Sequence, residues 1–315
     1  MSGPNPKVPD SKVPDSKVTG LATPGVEAPR AGGPELEALF RAAGVRGRLF
    51  AADIDSGREV AYGADEPMPT ASMFKVPLLV EFCRQADAGL LDPRSRVTVT
   101  AAERVGGPTG ISSMLDDVTI SLRDLAYLMI AVSDNTSADM LLARIGRDAI
   151  NAMLDGFGLA GTRVVHSCRE TNASMAEDAG HGWPFLDSED LARLRVLDPA
   201  RTNRSTPREL AGLLGLIWRD EAASAESCAW MRGVLNLQVW PHRLASGFPY
   251  DDVGVSGKTG TLPTLRGEAG VVEYPDGGRY AVAVSTRSFS SALNQPRADA
   301  VIGTAARMAV DHLRR

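Results

Sequence analysis

The sequence has few cysteines and no long apolar run, and these absences exclude several classes of protein. Its 315 residues include three cysteines, Cys83, Cys168 and Cys228, which lie far apart in the chain. Their number and spacing fit neither a disulfide framework nor a metal-ligand motif, so we expect buried, reduced thiols. No apolar run approaches the ~18 residues that a membrane-spanning helix needs, and we therefore expect no insertion into a membrane.

The chain also lacks a secretory signal and a basic stripe. Residues 1–30 hold no apolar run of signal-peptide length, so the sequence as written predicts a cytoplasmic protein, secreted only if a leader has been removed. A net charge of -5, with scattered arginines, argues against a nucleic-acid partner. We expect a monomer that binds a small molecule without a metal or another cofactor.

The histidines offer no obvious catalytic or metal centre. They are too dispersed for a zinc site. No Gly-x-Ser-x-Gly elbow surrounds any serine, which argues against a Ser–His–Asp triad. The four positions are His166, His181, His242 and His312.

The pattern along the chain predicts a tail followed by a mixed fold. Residues 1–32 are rich in Pro, Gly, Ser and Lys and contain a five-residue repeat, which predicts a disordered, low-complexity tail. Beyond the tail, strand patterns occur near both ends and helical patterns between them. This order predicts an α/β (α+β) fold, with one antiparallel sheet built from both chain ends, flanked by helices and carrying an inserted all-helical lobe. We expect an α/β subdomain of residues 33–67 plus 243–315 and a helical subdomain of residues 68–242.

One short stretch has the pattern of a catalytic centre. Ser72 lies where a helix is predicted to begin, after the entry turn and candidate N-cap at Thr70. Lys75 follows one turn later on the same face, where its amine can take the serine's proton. Pro77 falls inside the expected helix at a cost of about 3 kcal/mol, and such violations tend to mark functional sites.

Two further motifs stand at the ends of predicted elements. Ser133-Asp134-Asn135 follows an apolar helical run, and Lys258-Thr259-Gly260 follows a strand pattern. Ser-x-x-Lys, Ser-Asp-Asn and Lys-Thr-Gly, in this order, are the signature of class A β-lactamases and penicillin-binding proteins. Each motif alone is weak, because each residue could merely cap a helix or carry a surface charge. Together they indicate that residues 34–315 resemble the class A β-lactamase superfamily of serine hydrolases.

The resemblance implies a catalytic role for four residues. Ser72 would be the acylated nucleophile, and Lys75 would accept its proton directly or through a water. Ser133 would pass a proton to the leaving nitrogen, and Lys258 would keep that relay polarised. Two lysines beside two serines suit acyl transfer, because like charges lower each other's pKa.

The resemblance also implies a set of substrate-binding residues. Asn135 would hydrogen-bond the amide side chain of the substrate. The backbone N–H groups of the nucleophile and of Thr261, just after Gly260, would form an oxyanion hole. Thr259 and Arg266 are candidates for binding a substrate carboxylate.

The region that should supply the deacylating base departs from the family. Class A β-lactamases carry a Glu-x-x-Leu-Asn pattern there, whereas in this chain Glu170 is followed by Ala173 and Ser174. Glycine, tryptophan and proline within 175–204 favour a lid-like loop over a helix. Glu170 or Glu177 could activate the water, or the loop could supply another arrangement, or the acyl-enzyme could be long-lived, or the acceptor could be a molecule other than water.

Three functions therefore follow from the sequence. The first is a serine β-lactamase that hydrolyses a cyclic amide through an acyl-enzyme on Ser72. The second is a related acyl-transfer enzyme, such as an esterase, peptidase or biosynthetic transacylase, which the missing leader favours. The third is a penicillin-binding sensor that is acylated and stops, which the missing omega-loop motif favours.

Overall fold

The described part of the chain alternates helices with short and long strands. A computed structural model describes residues 33–180, 186–290 and 292–315, so the predicted tail lies outside the described residues. The α-helices are α1 (Gly33–Ala42), α2 (Lys75–Asp87), α3 (Leu122–Ala131), α4 (Asn135–Ile145), α5 (Arg147–Gly156), α6 (Cys168–Ala179), α7 (Ser188–Arg193), α8 (Pro207–Trp218), α9 (Ala225–Asn236) and α10 (Pro296–Leu313). The strands are β1 (Val45–Asp53), β2 (Glu59–Tyr62), β3 (Met68–Pro69), β4 (Arg96–Val99), β5 (Val118–Ser121), β6 (Arg204–Ser205), β7 (Gly254–Leu262), β8 (Leu265–Glu273) and β9 (Arg279–Ser288). None of these helices combines the length and apolar character needed to cross a bilayer.

The main sheet joins the two ends of the chain, as the sequence predicted. Its strand order is β2-β1-β9-β8-β7, and every pair is antiparallel. Strand β1 pairs along its whole length with β9, from Val45 opposite Ser288 to Asp53 opposite Tyr280. The predicted mixed α/β class is confirmed, and β7 lies at the edge of the sheet. The division into two subdomains stays a prediction.

Helices cover both faces of this sheet. Apolar residues of α1 and α10 pack on one face, and those of α2, α3, α8 and α9 form a larger cluster with residues of the other face. Gly47 shows how tightly α1 packs, because a Cβ at this position would lie 2.3 Å from the ring of Phe40. A small residue is therefore required where the helix crosses β1.

The helical region also contains two small sheets that the sequence did not predict. Strand β3 pairs with β6, and β4 pairs with β5. The β3–β6 pair brings Met68 opposite Ser205, immediately before the turn that carries Ser72. It therefore connects the start of the catalytic turn to the segment that follows α7.

The prediction of a helix-free lid over 175–204 was wrong. The helix α6 runs through Ala179, and α7 follows at Ser188–Arg193. Helix α6 begins with a capping box, in which Ser167 accepts from the backbone of Glu170 and the Glu170 side chain accepts from the backbone of Ser167. This reciprocal pattern satisfies two N–H groups at the helix start, and it outweighs the weak helical pattern of the sequence that follows. His181, Trp183 and Phe185 lie outside the described residues.

Candidate active site

The serine of the first motif lies in a tight turn that leads directly into α2. Residues Ala71–Phe74 form a 3₁₀ turn, and α2 begins at Lys75. Pro77 is therefore the third residue of the α-helix, where the missing N–H has no intrahelical partner to lose. Thr70 does not cap with its side chain but binds the carbonyl of Asn203 through its N–H, at 2.9 Å. The expected cost of Pro77 does not arise, because α-helical geometry starts later than the sequence pattern suggested.

Two residues of the site have a strained backbone. Ala71, directly before the nucleophile, has φ 47°, and Ser133 has φ 63°. A left-handed conformation in a residue with a side chain costs about 1–3 kcal/mol and persists only where the surroundings enforce it. Both strained residues line the same cavity, which supports a functional interpretation of this region.

Lys75 connects the first two motifs. Its side chain is fully buried, and Nζ donates to the Ser133 carbonyl at 2.7 Å, to Ser133 Oγ at 3.3 Å and to Asn135 Oδ1 at 2.9 Å. Burial lowers the pKa of Lys75, because the charged form loses its hydration. Lys75 therefore has both the position and the lowered basicity of an amine that exchanges protons with neighbouring hydroxyls.

The aspartate of the second motif is a structural anchor. Asp134 is fully buried, and its carboxylate accepts from the backbone N–H groups of Ile111, Ser112 and Thr136. These bonds fix the 104–113 loop against the start of α4. Its carbonyl also accepts from Lys75 Nζ at 3.4 Å, and its negative charge favours the protonated form of that lysine.

Lys258 approaches the same region from the edge strand β7. It is fully buried, and Nζ donates to the carbonyl of Thr259 at 3.0 Å. Its pKa is lowered well below the ordinary lysine value, first by burial and then by repulsion from Lys75. Residues 33–315 contain no lysines other than these two, so both lysines of that range lie buried at one site.

A cavity of about 640 Å³ opens between these elements. Five of the site residues predicted from the sequence line it: Ser72, Ser133, Asn135, Thr259 and Thr261. Asn135 also donates from Nδ2 to the carbonyl of Gly106 at 2.9 Å, so its amide is held between the loop and Lys75. The structure thus places the three motifs around one space, with the lysines beneath its surface.

Gly260 lets the edge strand approach the turn that carries the serine. A Cβ at this position would lie 2.5 Å from the carbonyl oxygen of Thr70 and 3.2 Å from the Cβ of Ala71. Only glycine fits this approach, which brings Thr261 and Ser72 to the same cavity. The oxyanion hole built from their two N–H groups stays a prediction.

The structure does not place Arg266 in the cavity. Its side chain is buried, and Nη1 donates to the carbonyls of Leu262 and Leu265. The arginine of the cavity wall is Arg243, which donates to Thr261 Oγ1 at 2.8 Å and to Asp299 Oδ1 at 2.7 Å. Arg266 was the candidate for binding a substrate carboxylate, and the arginine that lines the cavity beside Thr261 is Arg243 instead.

Glu170 is also placed elsewhere. Its carboxylate binds the backbone N–H of Ser167 at 2.6 Å and Arg147 Nη2 at 2.5 Å, and it borders a separate surface depression. Glu177 pairs with Arg195 at 2.7 Å beside the same depression. Neither glutamate lines the cavity of Ser72, because the capping box and the ion pair direct both carboxylates away from it.

Cys168 is the first of the α6 residues that line the cavity. Its thiol is buried, lies close enough to Lys75 for their charges to interact, and has its pKa raised to about 12 by burial. Its backbone N–H donates to Asp139 Oδ1 at 2.7 Å, which fixes the start of the helix. Among the described residues that line the cavity, none carries a carboxylate. The sequence analysis did not single out Cys168, although Asn172 follows it by four residues, the spacing from Glu to Asn in the Glu-x-x-Leu-Asn pattern.

The rest of the lining was not predicted residue by residue. Helix α6, the residues just before α7, the 104–113 loop and the segment before β7 contribute apolar and polar groups whose direction depends on the tertiary fold. The principal residues are Gly107, Asn172, Met175, Leu186, Trp240 and His242.

The family model that matches this chain spans almost all of the described residues. The model of the beta-lactamase enzyme family matches residues 34–313. The chain belongs to the beta-lactamase enzyme family. The three motifs around the cavity are the ones that the sequence analysis associated with this family.

Individual relatives within the family differ in what their names say. The chain is 32% identical over 301 residues to the beta-lactamase regulatory protein BlaB of Streptomyces cacaoi, covering 89% of this chain and 96% of that protein. It is 28% identical over 286 residues to a beta-lactamase of Streptomyces albus G, covering 88% and 83%. The crystal structure of a beta-lactamase from Sphaerobacter thermophilus DSM 20745 has a TM-score of 0.74 at 25% identity, covering 89% of this chain and 96% of that one.

Proposed function

We propose that β-lactams acylate Ser72 and that the acyl group then remains on the protein. The observation that carries this proposal is the composition of the cavity wall, which presents a nucleophile above two buried lysines but no carboxylate among its described residues. The protein is thus equipped for the first half of a β-lactamase reaction.

The acylation step uses the residues that the cavity brings together. Ser72 Oγ attacks the lactam carbonyl carbon, its proton passes to neutral Lys75, and the ring C–N bond breaks. The lactam nitrogen takes a proton from Ser133 Oγ, and Ser133 regains one from Lys75 through the contact at 3.3 Å. The lowered pKa of Lys75 supports this role, because a larger fraction of the amine is free to accept a proton near neutral pH.

Recognition of the substrate would depend on the edge strand β7 and on the residues that line the cavity beside it. The N–H groups of Ser72 and Thr261 would stabilise the developing oxyanion. Thr259, Thr261 and Arg243 form a polar, cationic end of the cavity for the carboxylate that β-lactams carry. Asn135 would bind the amide of the acyl side chain, at the other side of the nucleophile.

Hydrolysis of the acyl-enzyme needs a base that can activate water. Cys168 faces Lys75 from α6, and a thiol with a pKa raised to about 12 stays neutral and is a poor base at neutral pH. Glu170 and Glu177 are bound to arginines outside the cavity. The motifs alone favoured hydrolysis, whereas the placement of these side chains favours retention of the acyl group.

The test combines colour and mass. The protein is incubated with a chromogenic cephalosporin, and its intact mass is followed together with the absorbance. We expect a burst of about one equivalent of product and a lasting adduct that is absent from Ser72→Ala. Sustained turnover would instead identify a β-lactamase. If neither colour nor an adduct is observed, β-lactam acylation is refuted, and an acyl-transfer enzyme for another amide or ester is left.

A further inference from the structure

The outer edge of β7 borders the cavity, and side chains bind part of this edge where a further strand would otherwise pair. Strand β7 stands last in the order of the main sheet, so alternate N–H and C=O groups along it face away from the other described strands of that sheet. At Thr259 both groups are bound. The N–H donates to Gln238 Oε1 at 2.6 Å, and the carbonyl accepts from Lys258 Nζ at 3.0 Å. Contacts from outside the sheet ladder therefore fix the edge at this residue.

The direction of the strand connects this contact to the cavity. In an antiparallel ladder, residues two apart direct their N–H groups to the same side. Because the N–H of Thr259 faces Gln238 and not β8, the N–H of Thr261 faces the same open edge. Thr261 lines the cavity together with Ser72. A shift of the edge at Thr259 would therefore move the N–H that we propose for the oxyanion hole, which is about 7 Å further along the strand.

A buried carboxylate sets the orientation of the Gln238 amide. Gln238 Nε2 donates to Glu268 Oε1 at 2.7 Å, and the backbone N–H of Leu244 donates to Glu268 Oε2 at 2.7 Å. Glu268 lies opposite Thr259 on β8, and its relative exposure is 1%. Both of its oxygens act as acceptors, so the amide presents Nε2 to Glu268 and Oε1 to Thr259. A flipped amide would place two oxygens against each other at Glu268 and two N–H groups against each other at Thr259.

The segment that carries Gln238 also supplies the arginine of the cavity wall. Glu268 binds this segment twice, at Gln238 and at Leu244. Arg243, between these two points, donates to Thr261 Oγ1 at 2.8 Å. The segment thus contacts β7 through side chains at two residues of the same edge. It takes the place of a further strand there while leaving the backbone of Thr261 at the cavity.

We propose that Gln238 is a positioning residue, which holds the N–H of Thr259 at the open edge of β7 and thereby keeps the N–H of Thr261 directed into the cavity. Glu268 acts through Gln238, because it fixes the orientation of the amide. The consequence for catalysis rests on the proposed acylation of Ser72. The state of the Thr259 amide is measured without any ligand, so the two proposals fail separately.

The first test observes the Thr259 amide alone. Lys258-Thr259 is the one Lys–Thr pair in the 315-residue sequence, so labelling with carbonyl-¹³C lysine and ¹⁵N threonine gives a single HNCO signal. Gln238→Met keeps the length of the side chain but removes its acceptor. In this variant we expect the amide proton to shift upfield and to exchange with D₂O about ten-fold faster or more. An unchanged shift and exchange rate would overturn the proposal.

A reciprocal swap of the two side chains tests the network itself. Gln238→Glu alone places two carboxylates against each other, and Glu268→Gln alone presents an N–H group to one of two donors. The double variant Gln238→Glu/Glu268→Gln again offers an acceptor to Thr259, a donor between the two side chains and an acceptor to Leu244. We expect its Thr259 signal to return toward that of the unmodified protein. A double variant no better than the two single variants would contradict this arrangement.

Gln85→Met is the matched control. Gln85 is half-buried like Gln238 and donates to a glutamate, Glu81 Oε1, at 3.0 Å, but it lies near the end of α2 and does not line the cavity. We expect the Thr259 signal and the acylation rate to stay unchanged in this variant, and an effect as large as that of Gln238→Met would contradict the proposal. If Gln238→Met does not fold, Gln238→Ala takes its place, because it removes the same acceptor.

The second readout is the acylation of Ser72 by benzylpenicillin, followed by intact mass over a range of concentrations. Saturation separates the binding constant from the rate constant of the chemical step. A displaced oxyanion donor lowers the rate constant, so we expect Gln238→Met to lose about 10–10²-fold in it and little in binding. A loss confined to binding, or no loss, would overturn the catalytic role. If the unmodified protein forms no adduct, the proposed function fails, while the Thr259 signal still decides whether Gln238 holds the edge.

Discussion

The sharpest prediction concerns the residue that faces Lys75 from α6. Replacing Cys168 by glutamate would place a carboxylate at the cavity wall beside a buried lysine. The cavity of about 640 Å³ has room for the longer side chain. We expect Cys168→Glu to convert a lasting acyl-enzyme into one that hydrolyses, because the new group can activate water next to the ester.

The expected gain follows from the surroundings of the substituted residue. A positioned general base typically contributes about 10²–10⁴-fold in rate, which corresponds to a barrier lower by about 3–5 kcal/mol. The new carboxylate would be attracted by Lys75 but repelled by Asp139 and Asp134, whose charges already act on position 168. We therefore expect a gain nearer the lower end, about 10²-fold in the deacylation rate.

Single-turnover kinetics would measure this gain. The protein is acylated with a penicillin, excess ligand is removed, and the loss of the adduct is followed by intact mass. Cys168→Gln is the matched neutral control and should retain its adduct. Glu170→Gln in the unmodified background should also change nothing, because Glu170 caps α6 and pairs with Arg147. Slow deacylation in Cys168→Glu, or a clear effect of Glu170→Gln, would refute this reasoning.

Three further predictions follow from the same geometry. Lys75→Ala should abolish acylation of Ser72 in the mass assay, since no proton acceptor would remain in contact with the hydroxyl network; a full rate would exclude Lys75 as the base. Burial lowers the pKa of Lys75 and Lys258 in the folded protein, so the unfolded chain binds more protons. The free energy of unfolding that these groups contribute therefore rises as the pH approaches 10.5, the ordinary pKa of lysine. Urea titrations from about pH 7 to about pH 8.5 should show a smaller rise in Lys75→Met than in the unmodified protein. Gly260→Ala should slow acylation about 10²–10³-fold by pushing β7 off the turn of Ser72, and an unchanged rate would argue against the oxyanion hole.

The sequence predicted the parts of the site that belong to short sequence motifs. The three motifs were found because each stands at the end of a helix or strand, and the structure brings them around one cavity. The sheet built from both ends was also predicted, since its strands have clear apolar patterns and a strong turn at 275–278. These features depend on residues that are close together in the sequence, so the sequence pattern alone reveals them.

The features of the site that the sequence did not resolve depend on side-chain direction. Arg266 and Arg243 are both arginines near β7, and only the tertiary fold decides which of them lines the cavity. Glu170 was favoured by its position in the sequence, although the capping box with Ser167 could have been recognised from the Ser-x-x-Glu spacing. Cys168 was missed because the pattern was aligned on Glu170, whereas the spacing to Asn172 puts Cys168 at the position of the family's glutamate.

Glu268 shows a further limit of sequence reasoning. Its residue type in a strand predicts an exposed position, yet the register of β7 and β8 places it inside, opposite Thr259. The donors that stabilise it come from Gln238 and Leu244, more than twenty residues earlier in the chain. A buried charge of this kind is recognised only when its partners are in view.

The lifetime of the acyl group on Ser72 tests the central claim most directly. The unmodified protein is treated with one equivalent of penicillin, and its intact mass is recorded over time together with that of Ser72→Ala. The account predicts an adduct that forms on Ser72 and persists for hours. An adduct that never forms, or one that disappears within seconds as hydrolysed penicillin accumulates, would contradict it.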